Sequence, residues 1–312
     1  MESLLSRIKY QLYKASYGTY FKYVFYIKTR AFRKSLNIVN SYKTIDYIKK
    51  NGCSISRFGD GELRMVEYYL RKGCAEMYNI DTFQQYDTEL GQRLTEVLLS
   101  DNKNCLVCMP YVFKDLSVYY GYESFHFLRE YVYYQNLWKQ IGPSISNKLF
   151  GDSCFTRFYF HRADINNQQE YIELLKGIWD NEDIVFVEGD KSRLGVGNDL
   201  FRNAKSISRL LMPSTNAFSR YNDIIDLIKT MPKDKLYLLA LGHTATVLAF
   251  DMAKLGYRAI DIGHVDIEYE WMKMGAKRKM PVNNKYVNEV TEGRISSESE
   301  DPEYLSQIIG RL

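Results

Sequence analysis

Lys235-Leu-Tyr-Leu-Leu-Ala-Leu-Gly-His-Thr-Ala-Thr-Val-Leu-Ala-Phe-Asp-Met-Ala-Lys-Leu-Gly-Tyr-Arg-Ala-Ile-Asp-Ile262 decides the fold of this chain. The apolar run from Lys235 to Leu241 reads as a buried strand and Gly242-His-Thr-Ala245 as a turn. Thr246 to Leu255 then reads as a helix, and Arg258 to Ile262 as a second strand. A strand, a helix and a strand of these lengths make a β-α-β unit, whose two strands run parallel. In sheets built this way ligands gather at the carboxyl ends of the strands. Gly242, His243, Thr244, Gly263 and His264 are therefore expected on one rim.

Working outward, Asp183-Ile-Val-Phe-Val187 is a continuous apolar strand of the kind buried in parallel sheets. It enters Glu188-Gly-Asp-Lys-Ser-Arg-Leu-Gly-Val-Gly-Asn-Asp199, with a helix expected to start near Asp199. Glycines, cations and free backbone N–H groups after a strand are the usual means of holding phosphate. Lys191, Ser192, Arg193, Gly195 and Asn198 are the candidates there. The order is neither that of a Walker loop nor that of the dinucleotide fingerprint. Ser206 to Met212 is expected as a further strand and Ala217 to Thr230 as a helix.

Upstream, Ser54-Ile-Ser-Arg-Phe-Gly-Asp-Gly-Glu-Leu-Arg-Met-Val66 reads as a short strand that turns at Gly59-Asp60-Gly61 into a helix. Asp60 and Glu62 present two close carboxylates beside Arg57. Hard divalent cations take oxygen ligands, commonly one or two carboxylates with phosphate oxygens completing the shell. The plainer alternative is a helix N-terminus at which the acids complement the dipole. Ser41 to Asn51 and residues 83–100 read as helices, while Cys105 to Met109 and Ser153 to His161 read as strands. Leu116 to Lys139 is rich in aromatics. Most of these are expected to be core, a minority to meet an acceptor sugar.

After Gly263 come His264, Asp266, Glu268 and Glu270. An extended segment puts all four on one face; a helix pairs Asp266 with Glu270 instead. The basic stretch Lys273 to Lys285 is read as a lid over the site, and residues 292–303 as polar and mobile.

The chain has 312 residues, 46% hydrophobic and 26% charged, with 27 tyrosines and a formal net charge of +4. These are values of an ordinary globular protein, and the mild positive charge does not imply nucleic acid. No run approaches the roughly 18 to 20 apolar residues of a spanning helix, and no signal peptide is read at the N-terminus. Five cysteines without framework spacing suit a reducing cytosol. Cys105 and Cys108 have half a zinc-site spacing but lack a second half, so they are read as structural. Residues 1 to about 35 are basic and aromatic, with Glu2 as the only acid. Such a segment either lies on an anionic membrane surface or packs on the body or on a second subunit.

Arg57-Phe-Gly-Asp-Gly-Glu62, Val187 to Asp199, Ala240-Leu-Gly-His-Thr-Ala-Thr-Val247 and Ile262 to Trp271 together resemble the GT-D-type glycosyltransferases. These are bacterial enzymes that extend glycans on serine-rich adhesins or surface polysaccharides. The resemblance spans roughly residues 40 to 290, with four motifs in the family's order; His243 stands where a smaller residue would be expected. It implies an α/β, Rossmann-like, mostly parallel sheet flanked by helices, with a UDP-sugar donor and a divalent metal such as manganese or magnesium. The family's Asp-x-Glu signature falls on Asp60 and Glu62.

The two readings agree on roles. Asp60 and Glu62 hold the metal. Arg57, Lys191, Ser192, Arg193, Gly195, Asn198, Gly242, Thr244 and His264 meet the donor, with His264 otherwise a metal ligand or a satisfied strand-end histidine. Glu268 acts as base, with Asp266 beside it as base or in the metal shell. The expected organisation is an N-terminal helical arm (1–38), a GT-D-like domain (39–290) and a polar tail (291–312). The expected activity is transfer of a sugar, glucose first, from a UDP-sugar to a glycan or glycoprotein acceptor by a cytoplasmic protein at the inner membrane face, with a homo-oligomer as a further partner. The alternative is a non-catalytic nucleotide-sugar-binding module.

Overall fold

A computed structural model describes residues 15–71, 83–294 and 299–312. Among the described residues nine strands form one sheet: β1 (Asn37–Ile38), β2 (Ser54–Arg57), β3 (Cys105–Met109), β4 (Leu149–Asp152), β5 (Asp183–Gly189), β6 (Ser206–Met212), β7 (Leu236–Ala240), β8 (Arg258–Asp261) and β9 (Ile308–Arg311). Their order is β1-β4-β3-β2-β8-β7-β5-β6-β9, and every neighbouring pair is parallel.

The β-α-β unit is as read. β7 and β8 are neighbours, with Leu236 opposite Arg258 and Leu239 opposite Asp261. Their connecting helix, His243–Lys254, begins three residues earlier than expected, because Gly242 takes φ of 53° and turns the chain directly into it. Ten of the helix's twelve residues are buried. That explains a sequence apolar all round rather than on one face.

Helices cover both faces of the sheet. On one face Leu63, Val66, Leu94, Tyr131, Trp138 and Val247 join a single apolar core. On the other, Ile45, Ile48, Tyr171, Trp179 and Phe201 pack on Ile55, Phe186 and Ile260. The four described cysteines are free and buried, as expected of structural residues; Cys74 lies outside the described residues.

Several local expectations are corrected. The strand expected at Ser153 to His161 does not form: residues 153–161 are turns and bends, and β4 ends at Asp152. There the Asp152 carboxylate accepts the N–H groups of Tyr111 and Cys154, and the chain leaves the sheet in turns. Near Asp199 the backbone makes turns rather than a regular helix. The helix expected over Ala217 to Thr230 splits into a 3-10 turn (Ala217–Arg220) and a helix (Tyr221–Lys229). The aromatic stretch forms two helices, Gly121–Tyr133 and Gln135–Ile145. The acidic stretch after Gly263 is the helix Val265–Lys273, which selects the pairing of Asp266 with Glu270. Ile308–Arg311, within the stretch read as a polar tail, is β9 and pairs with β6.

Candidate active site

The carboxyl ends of the strands open onto a cavity of about 480 Å³. The turn after β2 supplies Gly59, Asp60, Gly61 and Glu62 to its lining, and the turns after β7 and β8 supply Gly242, His243, Gly263 and His264. Strand-end turns read separately thus meet in one place.

The first two turns interlock. A Cβ on Gly61 would lie 2.4 Å from His243 Nε2, so the glycine between the two acids makes room for the imidazole. Gly242 is required twice, by its φ of 53° and by Phe83, whose ring a Cβ would meet at 2.2 Å. Asp60 opens the helix Asp60–Arg71. Glu62 Oε2 accepts the Gly59 N–H at 2.8 Å, while Oε1 faces His243 Nδ1 at 3.9 Å. One carboxylate oxygen of Glu62 is therefore a helix cap and the other remains toward His243. Among the described residues no group of three or more His, Cys, Asp or Glu is placed to hold a metal ion. A cation held by this pair would have to complete its shell with phosphate and water oxygens.

Arg57 lines the cavity and is clamped. Its Nη1 donates to Ser153 O (2.9 Å) and Thr156 Oγ1 (2.7 Å), and its Nη2 pairs with Asp261 at 3.0 Å. Gly263 passes so close that a Cβ would sit 1.8 Å from Nη2. The buried Nε has no hydrogen-bond partner among the described residues.

A second cluster in the lining is centred on Arg157. Arg157 Nη1 pairs with Glu268 at 3.3 Å, Nη2 meets His264 Nδ1 at 3.1 Å, and Nη2 also pairs with Glu289. Arginine only donates, so Nδ1 of His264 accepts and the imidazole keeps its proton on Nε2. Burial and the Arg157 guanidinium push His264 down to about 3, so the ring is neutral at physiological pH. Glu268 also accepts the Tyr159 N–H at 3.0 Å; burial raises its pKa against the pull of Arg157. For Glu289, Arg157, His264 and Lys279 outweigh burial and hold the carboxylate below its ordinary range. Lys279 pairs with Glu289 at 3.0 Å and stands 3.9 Å from Glu123. The segment read as a lid thus contributes Lys279 to the cavity wall, and Tyr286 and Glu289 follow from the residues just beyond it.

Other candidates do not reach the cavity. Of the loop after β5, Ser192 lines it, whereas Lys191 and Arg193 border a separate small pocket beside Tyr304 and Arg311. Arg193 Nη1 is spent on Asn284 O at 2.8 Å. Gly195 N and Asn198 Nδ2 both donate to Asp266 Oδ1, at 2.9 and 2.7 Å. Asp266 Oδ2 accepts from Lys285 Nζ at 2.6 Å, and Lys285 also meets Glu270 at 2.9 Å. Asp266 is fully buried in this network and is not in the lining. Thr244 is also fully buried outside it.

Sequence reasoning missed Arg157, Glu289 and Phe83. Arg157 was hidden inside an expected strand. Glu289 stands beyond the basic stretch in a sequence without regular pattern, so no signal marked it. The Phe83 ring stacks on Tyr286 at 6.3 Å, a pairing across 203 residues that no local pattern encodes.

The family model for the glycosyltransferase GT-D fold matches residues 55–290. The chain is 33% identical over 288 residues to the probable glycosyl transferase Gly of Streptococcus gordonii, covering 89% of this chain and 39% of that protein. It is 35% identical over 272 residues to glycosyltransferase GlyD of Streptococcus pneumoniae, covering 86% of this chain and 32% of that one. The chain therefore spans well under half the length of these two relatives. A solved domain described as having a distinct glycosyltransferase fold superposes with a TM-score of 0.79 at 34% identity, covering 90% of this chain and 98% of that one. A structure described as a new glycosyltransferase from Streptococcus sanguinis gives 0.78 at 33% identity, covering 89% and 99%. With the parallel sheet, the rim cavity and a match over most of its length, the chain belongs to the glycosyltransferase family of the GT-D fold.

Proposed function

We propose that this chain transfers a sugar, glucose in the first instance, from a UDP-sugar to a glycan or glycoprotein acceptor of a bacterial surface, using manganese or magnesium held at Asp60 and Glu62. One observation carries the reading. Two carboxylates at the head of a helix line the same cavity as the guanidiniums of Arg57, Arg64 and Arg157, a neutral histidine and a buried glutamate. A diphosphate leaving group needs counter-charge, and an acceptor hydroxyl needs a base.

A divalent cation at the pair supplies positive charge where the leaving diphosphate gains negative charge. Arg57 and Arg157 are assigned to the phosphates, Arg57 pre-positioned by the Asp261 carboxylate and the Ser153 carbonyl and Arg157 by Glu268, Glu289 and His264. Preorganised charge of this kind contributes without reorganisation during the reaction. Neutral His264 offers its Nε2–H as a donor. Glu268 takes the acceptor proton: its raised pKa makes it a better base than Glu289, which Arg157 and Lys279 hold ionised and weakly basic. Such base catalysis is worth about 10² to 10⁴-fold. Tyr119, Phe127 and Phe160 line the cavity with aromatic surface suited to an acceptor sugar ring.

The test is UDP release and melting temperature with UDP-, GDP- and dTDP-sugars, with and without manganese. Manganese-dependent release from one UDP-sugar is expected, with ligand stabilisation of about 2.7 kcal/mol at a hundredfold excess over Kd. Stabilisation without release, even when acceptor glycans are supplied, assigns a binding module instead. No stabilisation by any nucleotide removes the donor reading.

A further inference from the structure

Among the described residues, 15–35 pack on the body along one face. Phe21 meets Phe125, Phe25 meets Tyr131 edge-on at 4.9 Å, and Phe32 stacks on Trp138, so the segment runs alongside the two aromatic helices. Arg33 fastens it, donating to Phe25 O at 2.8 Å and Lys114 O at 3.1 Å. Val24 and Phe25 are buried beneath.

Among the described residues nothing covers the other face, and its chemistry is unusual. Tyr20, Tyr23, Tyr26 and Ile27 are 48%, 55%, 46% and 64% exposed. Lys22, Lys28, Arg30 and Lys34 are exposed around them. No Asp or Glu occurs between residues 15 and 45. Side chains with an apolar body and a polar tip, ringed by like-signed cations, match the headgroup level of a bilayer. The charge also decides between occupants. A second copy placed on this face would set its cations against an identical set, which is repulsive, whereas an anionic surface attracts every one of them.

We infer that this face of the N-terminal segment docks on an anionic lipid surface. The inference rests on surface chemistry and is independent of the transfer reading. It has a geometric consequence. The helix Gly121–Tyr133 carries Phe125 and Tyr131 toward the segment and Glu123, His126 and Phe127 toward the cavity. Docking sets the cavity wall about one helix diameter, roughly 10 Å, from the segment that touches lipid.

Co-sedimentation of the full chain with phosphatidylcholine vesicles, with and without phosphatidylglycerol, tests this. Binding is expected only to the phosphatidylglycerol vesicles and is weakened by salt. Each basic residue near such a surface is worth about fivefold in partitioning. Lys22→Gln, Lys28→Gln and Arg30→Gln together should therefore weaken binding by roughly a hundredfold. Tyr23→Ser with Ile27→Ser should weaken it by at least roughly tenfold through lost apolar contact. All five positions are exposed, so melting temperature serves as the folding control and should not move. Equal binding to neutral vesicles, no binding, or binding that survives both sets of substitutions overturns the inference. So does a concentration-dependent dimer that Tyr23→Ser with Ile27→Ser dissolves, which would give the face to a second copy.

Discussion

The loop after β2 and the loop after β5 share a vocabulary of glycine, acid and cation at the carboxyl end of a parallel strand, and the structure uses them oppositely. In the first, Asp60 and Glu62 face the cavity and only one oxygen of Glu62 is taken by the chain itself. In the second, nearly every polar group is consumed internally. Glu188 pairs with Arg209 at 2.5 Å and accepts the Leu194 N–H at 2.7 Å, while Arg209 donates to Leu194 O. Gly195 and Asn198 hold Asp266, which Lys285 neutralises. Composition at a strand end marks a loop that can hold a ligand. Whether it does depends on buried partners contributed from elsewhere: Arg209 on the next strand and Lys285 beyond the acidic helix.

The sharpest way to break this contrast is through turnover. Asp60→Ala and Glu62→Ala should each lower kcat/KM by about 10² to 10³-fold or more, the cost of removing a preorganised charge stabiliser. Glu62→Ala should also lose about 1 kcal/mol of stability with its cap, which Asp60→Ala should not. Lys191→Ala should leave kcat/KM unchanged within error. Steady-state rates and urea melts of the three variants check this; near-wild-type turnover in either carboxylate variant, or a large loss in Lys191→Ala, would reverse the assignment of the two loops.

The opposite signature is expected in the second region. Lys285→Met leaves Asp266 buried without its counter-charge, and breaking a buried pair from one side costs about 3–5 kcal/mol. Urea unfolding measures the loss, and turnover per folded molecule should persist. Asp266→Asn keeps the Asn198 and Gly195 contacts within reach and should cost less. Turnover abolished in Asp266→Asn at unchanged stability would move Asp266 from brace to catalyst.

The legible parts of this fold were those written in local periodicity. Lys235 to Ile262 and Asp183 to Val187 carry apolar runs whose length and punctuation leave one architecture, and both lie where a parallel sheet requires them. Gly59-Asp60-Gly61-Glu62 was legible because turn and helix start are adjacent in sequence. What was not legible depends on distant partners. Nothing near Lys191 or Asn198 says that their loop turns inward, since Asp266 and Asn284 lie 68 and more residues on. Arg157 looked like a strand residue because Asp152, which ends β4 by accepting two N–H groups, acts through side-chain geometry rather than hydrophobic pattern. β9 escaped because the polar residues before it dominate the composition, while its four residues are held by pairing with β6.

The smallest effect lies where the two regions meet on one short stretch, with His264 on the cavity side and Asp266 on the buried side. His264 sits near 3 in the folded chain against an ordinary value of about 6.5. The native ring therefore refuses a proton that the unfolded chain accepts. Its contribution to stability is full above about 6.5 and falls as pH drops through the window down to about 3. Glu289, held below its ordinary carboxylate value, loses its contribution only lower, as pH falls through the carboxylate range. Burial raises carboxylates such as Glu268 toward the same window, so the histidine is isolated by difference against a variant that lacks it. The unfolding free-energy gap between the wild type and His264→Gln should shrink between about pH 7.5 and about pH 5. A gap independent of pH would mean that His264 is solvated and takes its proton freely. That would detach it from Arg157 and leave Glu268 and Glu289 as the only partners of that guanidinium in the cavity wall.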